Sequence, residues 1–422
     1  MRNLDAIANS LQGYDPQAMR VDQVLAFLSH LAQDTPALPT EWVPLPQALG
    51  RVLAQALASP IDVPGHDNSA MDGYACRGAE LANGAQASLC VGVALAGAPY
   101  TGAVGPGECV RITTGAIMPP GLDTVVPSEF TQVNNDRVSW PAGVVRTGDN
   151  RRLAGEDLKR GSTALSEGHV LGPAELGLIA SLGIAQVPVR QRLRVAYFST
   201  GDEILSLGEP LREGAIYDSN RYTVMGLLQR LGCELIDLGV APDDPVQLEA
   251  CFRQAAEQAQ VIITSGGVSV GEADHTKAMM RRLGDVAFWR IAMRPGRPMA
   301  VGRMGNTLLF GLPGNPVAVM VTFIAFVRPV LLQLMGAQGL APTVIRAKSL
   351  EAMRKKAGRT EYQRGVLVRQ DAEQVWVKTT GNQGSGVLSS MVQADGLIVL
   401  HHEQGHVAVG DEVDVLLLNS CY

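Results

Sequence analysis

Residues 193–333 constrain the fold more than any other part of the chain. Strand-length apolar runs at 193–199, 234–240, 261–264, 286–291 and 307–310 alternate with helix-forming stretches at 219–231, 245–259, 276–283 and 316–333. Strands this uniformly apolar are buried on both faces, and strand–helix alternation brings successive strands into parallel register. The region is therefore expected to form a doubly wound, mainly parallel α/β sheet. Such sheets bind ligands beyond the carboxyl ends of their strands, and two glycine-bearing turns sit at that edge. One is Thr264-Ser265-Gly266-Gly267-Val268-Ser269 and the other is Leu312-Pro313-Gly314-Asn315-Pro316. Paired glycines let backbone N–H groups approach a phosphate, and the following helix dipole favours the anion. In the second turn Asn315 suits the N-cap and Pro316 the first helical position. Either turn alone would also be an ordinary strand–helix connection, so the pair carries the reading.

The flanking sequence differs. Positions 21, 24, 25, 27, 28 and 31 are apolar with helical spacing. A Pro- and Gly-rich stretch, 35–50, leads into the loop Pro64-Gly65-His66-Asp67-Asn68-Ser69-Ala70-Met71-Asp72-Gly73-Tyr74, which is polar and turn-rich, as binding loops are. From 86 to 141 short Val/Ile/Ala runs alternate with Gly-Pro turns, marking a small β-rich module. After Leu340 short strands return at 365–368, 374–378, 396–400 and 412–417, pointing to a terminal β-barrel or sandwich. With 422 residues, 46 Gly and 24 Pro, the chain has room for two to four turn-rich domains.

A net charge of −6 argues against nucleic acid, whose partners normally carry a basic face. The six cysteines (76, 90, 109, 233, 251 and 421) form no Cys-x-x-Cys pair, so reduced, mostly buried thiols are expected. The N-terminus lacks a basic-then-apolar pattern, and the apolar run 317–327 is too short for a membrane span. A cytoplasmic protein with no membrane partner is the expectation.

Acidic residues recur in loops and after strands: Asp67, Asp72, Glu156, Asp157, Asp202, Glu203, Asp218, Asp243, Asp244, Glu272 and Asp274. Oxygen-rich clusters beside phosphate-type turns suit a hard cation such as Mg²⁺, although any single member could equally cap a helix. Arg294-Pro295-Gly296-Arg297-Pro298 places guanidinium groups in a rigid loop suited to oxyanions. His402-Glu403-Gln404-Gly405-His406 matches a zinc pattern that requires a helix, whereas Gly405 and its flanks indicate a β-hairpin. No zinc site is expected there.

Taken together, the motifs resemble the MoeA-type molybdopterin molybdenumtransferases and the related scaffold domain of gephyrin. The resemblance spans essentially the whole chain. It rests on Asp62–Ala75, Arg-Ile-Thr-Thr-Gly-Ala at 111–116, Gly-Glu-Asp at 155–157 and Phe-Ser-Thr-Gly-Asp-Glu at 198–203. Ser-Gly-Gly-Val-Ser-Val-Gly-Glu-Ala-Asp at 265–274 and Gly-Leu-Pro-Gly-Asn-Pro-Val at 311–317 complete the set.

The resemblance implies an elongated homodimer of multi-domain α/β plus β chains. The domains would be an N-terminal segmented domain (1–57 and 158–188), an inserted β-rich module (58–157), an α/β molybdopterin-binding domain (189–340) and a C-terminal β-barrel (341–422). The activity implied is Mg²⁺-dependent insertion of molybdate into adenylylated molybdopterin with release of AMP. Catalytic positions would be Asp72, Thr114, Asp157, Glu203, Asp243 and Asp274, with Glu203, Asp243 and Asp274 as metal ligands. Ligand contacts would come from Gly266, Gly267, Ser269, Arg290, Arg294, Pro313, Gly314, Asn315, Pro316, Arg364 and Ser385. Arg290 and Arg294 stand where the family pattern has lysines; anion binding survives that change, whereas a role for a neutral amine would not. In the family the module carrying the Asp72 loop serves the α/β domain of the partner chain. The upstream molybdopterin adenylyltransferase is a candidate partner. Alternatives are adenylylation of molybdopterin, a non-catalytic gephyrin-like scaffold, or tungstate as the oxyanion.

Overall fold

The strand–helix alternation folds as a six-stranded sheet with helices on both faces. A computed structural model describes residues 3–267, 275–369 and 374–421, so Ser269, Glu272 and Asp274 lie outside the described residues. The chain forms two compact units, one comprising Met1–Ala54, Gly168–Gly172 and Val187–Tyr422, the other Gln55–Glu167 and Pro173–Gln186.

In the first unit the sheet order is Glu234–Ala241, Arg194–Thr200, Val261–Ser265, Thr307–Leu312, Pro298–Met304 and Asp285–Arg290. The first four strands are parallel, and the last two join antiparallel. Alternate residues feed two cores. Val195, Tyr197, Ile263 and Phe310 face one side, where Val224 and Leu228 of the helix Ser219–Arg230 pack with Phe27 and Leu31 of the helix Val21–Gln33. Ala196, Phe198, Ile262 and Leu309 face the other, against Leu248 and Phe252 of the helix Pro245–Gln258 and Met279 and Met280 of the helix His275–Leu283. Phe198 meets Phe252 edge-on at 5.0 Å between ring centroids, a geometry worth about 1 kcal/mol beyond area burial.

The strand Pro298–Met304 is absent from the sequence reading, which treats its start as a loop. Pro298 and Gly302 read as breakers, yet Pro298 occupies the first strand position, where a missing N–H is tolerated. A Cβ at Gly302 would lie 2.3 Å from the carbonyl of Asp285, so glycine permits the close strand approach.

The apolar segment Pro316–Leu334 is one long helix with a π-helical stretch at Phe323–Val327 just before Pro329. Proline there lacks an N–H and its ring displaces the preceding carbonyls, a familiar cause of such irregularities. By length and composition this helix could cross a membrane, but 83% of its most apolar window is buried inside the protein.

Residues after 340 close a five-stranded barrel. Thr360–Arg369 pairs with both Val375–Thr379 and Gly396–Leu400, and Val344–Ser349 bridges Val375–Thr379 to Glu412–Leu417. Val344–Ser349 is missing from the sequence reading because Arg346, Lys348 and Ser349 dilute its alternation. The short strand Met293–Arg294 adds to the barrel beside Thr360 and Glu361. Strands Gly396–Leu400 and Glu412–Leu417 are antiparallel neighbours, and the segment between them is not helical. Val407, expected to fold back on 397–400, instead bridges Met353.

The second unit contains a sheet ordered Thr124–Pro127, Gly73–Cys76, Glu108–Ile112, Ala87–Ala94, Arg137–Ser139 and Gln132–Asn134, matching the expected β-rich module. All six cysteines of the chain are free, and Cys76, Cys109, Cys233 and Cys421 are buried.

Candidate functional site

Parallel strands end with their carbonyls at one sheet edge, and the chain turns there into helices. A cavity of about 480 Å³ opens at this edge between the turns after Arg194–Thr200, Val261–Ser265 and Thr307–Leu312. Gly266 and Gly267 adopt φ of +90° and +61°, values that L side chains rarely reach. Space forbids side chains as well: a Cβ at Gly266 would approach the Thr200 carbonyl to 2.5 Å, and one at Gly267 would approach Thr276 Cβ to 2.5 Å. Pro313, Gly314 and Asn315 line the facing wall. Asn315 has the N-cap backbone conformation but makes no side-chain cap bond, contrary to the sequence reading, so its amide is available to the cavity it lines. Pro316 occupies the first helical position as expected.

A second cavity of about 300 Å³ shares Arg294, Pro295 and Gln383 with the first. Its wall carries Arg294, Arg354 and Arg364 against Glu351 and Glu361. Both acids are already engaged. Glu361 pairs with Arg359 at 2.7 Å and accepts from Gln363, while Glu351 accepts from the Thr379 N–H at 2.6 Å. Arg364 is 1% exposed, yet its donors go to neutral groups: Ser390 Oγ at 2.9 Å, the Gly384 carbonyl at 3.0 Å and the Asn382 carbonyl at 3.3 Å. Burial, and then the charge of Arg294, hold the Arg364 pKa below its ordinary value. Arg294 and Arg364, close enough to feel each other's charge, offer donors suited to an oxyanion on a wall that also carries Glu351 and Glu361. Ser385 lies on the first cavity's wall, where its carbonyl accepts from the Val317 N–H at 3.1 Å. Arg290 ends its strand exposed and lines neither cavity.

Of the acids in this unit, Glu203 lines the first cavity and is exposed. The Asp243 N–H donates to Asp202 Oδ1 at 3.1 Å, tying the two acidic loops together. Asp218 and Asp244 are N-caps of the helices Ser219–Arg230 and Pro245–Gln258, the ordinary reading for an isolated loop acid. Among the described residues, no group of three His, Cys, Asp or Glu side chains is placed to hold a metal ion unaided.

The remaining predicted acids belong to the second unit. Asp72 Oδ1 accepts from the Thr114 N–H at 2.6 Å and from its hydroxyl at 2.7 Å. These two bonds, with a smaller contribution from Arg111, hold the Asp72 carboxyl below its usual range. Thr114 and Asp72 thus meet across 42 residues of sequence. Asp157 is exposed, with its N–H on the Val63 carbonyl at 3.0 Å.

Several wall residues escaped sequence reasoning. Asn220 lines the first cavity with its amide nitrogen on the Gly314 carbonyl at 2.7 Å and its buried Oδ1 unpartnered. Gln383 clamps both backbone atoms of Arg364. Neither has a local signal, because each acts on a segment remote in sequence.

Fold and cavities together define a class: a doubly wound α/β protein with a cavity beyond its strand ends and a β-barrel whose basic residues line the cavity beside it. Three family models match in order along the chain: the MoeA N-terminal region (domain I and II) at residues 19–183, a probable molybdopterin binding domain at 196–333 and the MoeA C-terminal region (domain IV) at 346–418. A molybdopterin molybdenumtransferase of Haemophilus influenzae is 42% identical over 89% of this chain and 93% of its own length. One from a Nostoc species is 37% identical over 90% of this chain and 89% of its own length. The crystal structure of a molybdopterin biosynthesis MoeA protein from Pyrococcus horikoshii superposes with a TM-score of 0.80 at 27% identity, covering 95% of this chain and 100% of that one. The chain belongs to the MoeA family.

Proposed function

We propose that this chain is the enzyme that inserts molybdate into adenylylated molybdopterin, releasing AMP, in molybdenum cofactor biosynthesis. The observation that carries the reading is the joining of the two cavities through Arg294, Pro295 and Gln383. One cavity has the glycine turns that suit a phosphorylated pterin, and the other has guanidinium groups that suit a tetrahedral oxyanion. The substrates need such neighbouring subsites, since the dithiolene sulfurs must reach the metal of the oxyanion.

In this reading Gly266, Gly267 and the Pro313–Asn315 turn hold the phosphate region of the pterin, with Pro316 opening the helix after the second turn and Ser269 assigned by the family resemblance. Arg294 and Arg364, beside Ser385, hold molybdate. Arg290 serves only as a more distant positive charge. Orienting the two substrates converts a bimolecular encounter into a local one, a large part of what positioning contributes to catalysis. Magnesium is commonly held by one or two carboxylates together with substrate phosphates and water; Glu203 on the cavity wall would be one donor, with Asp243 and Asp274 added by the family resemblance. The ion would polarise the pyrophosphate as a Lewis acid. Asp72, held by Thr114, and Asp157 serve as further carboxylates of the reaction. A cytoplasmic homodimer supplied by an upstream adenylyltransferase completes the proposal.

The test is incubation of the purified protein with adenylylated molybdopterin, Mg²⁺ and molybdate. AMP release and formation of molybdenum cofactor should rise together and should both require molybdate. AMP release without cofactor formation would contradict the reading.

A further inference from the structure

Beneath the first cavity lies a polar cluster that the reading above leaves unused. The Tyr197 hydroxyl is 2.9 Å from Ser199 Oγ and 2.7 Å from Ser265 Oγ, and the two serine oxygens are 3.3 Å apart. All three residues are at most 2% exposed. Packing alone does not call for this phenol. The residue belongs to the same apolar core as Val195, Val224 and Ile263, where phenylalanine would serve as well, and burying a hydroxyl costs free energy unless it is paired. Ser199 and Ser265 are register partners at the carboxyl ends of adjacent parallel strands, and both line the cavity. Each precedes a wall element, Thr200 in one case and Gly266 in the other.

The three hydroxyls have three protons for three contacts, so each donates once and accepts once. If one serine turns its proton to a ligand oxygen, the triangle opens into a chain. The other serine donates to Tyr197, Tyr197 donates to the outward serine, and the outward serine donates to the ligand. No buried oxygen loses its partner. Without the phenol the serines retain only their mutual contact at 3.3 Å, which is long for an O–H···O bond.

We propose that Tyr197 is a positioning residue for the phosphate end of the ligand, holding one serine at a time, Ser199 or Ser265, as a donor to a phosphate oxygen at the Gly266-Gly267 turn. The proposal rests on the reading of this cavity as the site of a phosphorylated pterin. Burial raises the phenol pKa further above its ordinary value, so the group remains a neutral donor through the working pH range.

The test measures binding of molybdopterin and of its dephosphorylated form to the wild-type protein and to the Tyr197→Phe and Gly266→Ala variants. Tyr197→Phe should weaken molybdopterin about five- to tenfold, the range for loss of a buried hydrogen-bond partner, with a modest fall in Tm from the serines' lost partner, and leave binding of the dephosphorylated pterin nearly unchanged. Adding Ser199→Ala to Tyr197→Phe should cost less than Ser199→Ala does in the wild type, because the two act as a unit. Equal weakening of both pterins, in step with a fall in Tm, would mark a purely structural role and overturn the proposal. Unchanged molybdopterin binding in Tyr197→Phe, with Gly266→Ala strongly weakened, would overturn the tyrosine assignment while leaving the cavity reading intact. Unchanged binding in Gly266→Ala as well would overturn the cavity reading itself.

Discussion

At the scale of single residues, the carboxylate that the Thr114 N–H and hydroxyl hold ionised gives the sharpest handle. Asp72 accepts both donors at one oxygen, and its pKa is lowered mainly by those bonds. The sign follows from linkage: a depressed folded-state pKa contributes stability above the ordinary carboxylate range, and that contribution is lost as pH falls through the lowered value. Thr114→Val removes the hydroxyl donor and keeps the N–H. The Asp72 carboxyl, followed by NMR, should then titrate at a higher pH than in the wild type, though still below an unperturbed aspartate. No movement would show that the hydroxyl does not hold this carboxylate. Asp72 was legible in the sequence as a loop acid, but its partner was not, because 42 residues separate the two. Arg364 shows the same limit: the sequence marks a basic residue, and only the fold shows it 1% exposed with neutral partners.

At the scale of elements, the four parallel strands and their helices were readable because three strands are nearly unbroken apolar runs, the edge strand Glu234–Ala241 is largely apolar despite Asp237, and the helices lie between them. Two of the strands that escaped, Pro298–Met304 and Val344–Ser349, are ones where proline, glycine or charge interrupts the pattern. Their placement depends on neighbouring strands, which no local pattern records. The segment 401–406 is the opposite case, where a strong local pattern is overruled by its setting. His406 Nδ1 accepts from the Lys355 N–H at 3.1 Å, and the Lys355 ammonium donates to the Gln404 carbonyl at 2.6 Å. A non-helical segment engaged in this way does not present both imidazoles on one helical face. Elemental analysis of protein purified without chelators should therefore find no stoichiometric zinc. One tightly held zinc per chain, lost in His406→Ala, would contradict this.

At the scale of the whole molecule, the predicted functional acids divide between the two compact units, with Asp72, Thr114 and Asp157 in one and Glu203 and Asp243 in the other. The family resemblance predicts a two-fold dimer in which the Asp72 loop of one chain serves the partner's α/β domain. Asp72→Asn and Asp274→Asn homodimers should then each be inactive, with Tm close to wild type. Co-expression should restore activity, up to about half of wild type in the pure heterodimer if sites act independently, because both lesions fall in the same site. Confirmed heterodimers without recovery would show that each chain builds its site alone.

The central claim, that the guanidinium-lined cavity beside the glycine turns receives molybdate, is tested most directly by the molybdate dependence of insertion in Arg294→Ala. Loss of a charged donor should raise the KM for molybdate roughly 10- to 100-fold, with molybdopterin weakened less, since Arg294 also borders the glycine-turn cavity, and Tm close to wild type. An unchanged molybdate KM in the folded variant would contradict the assignment of this cavity.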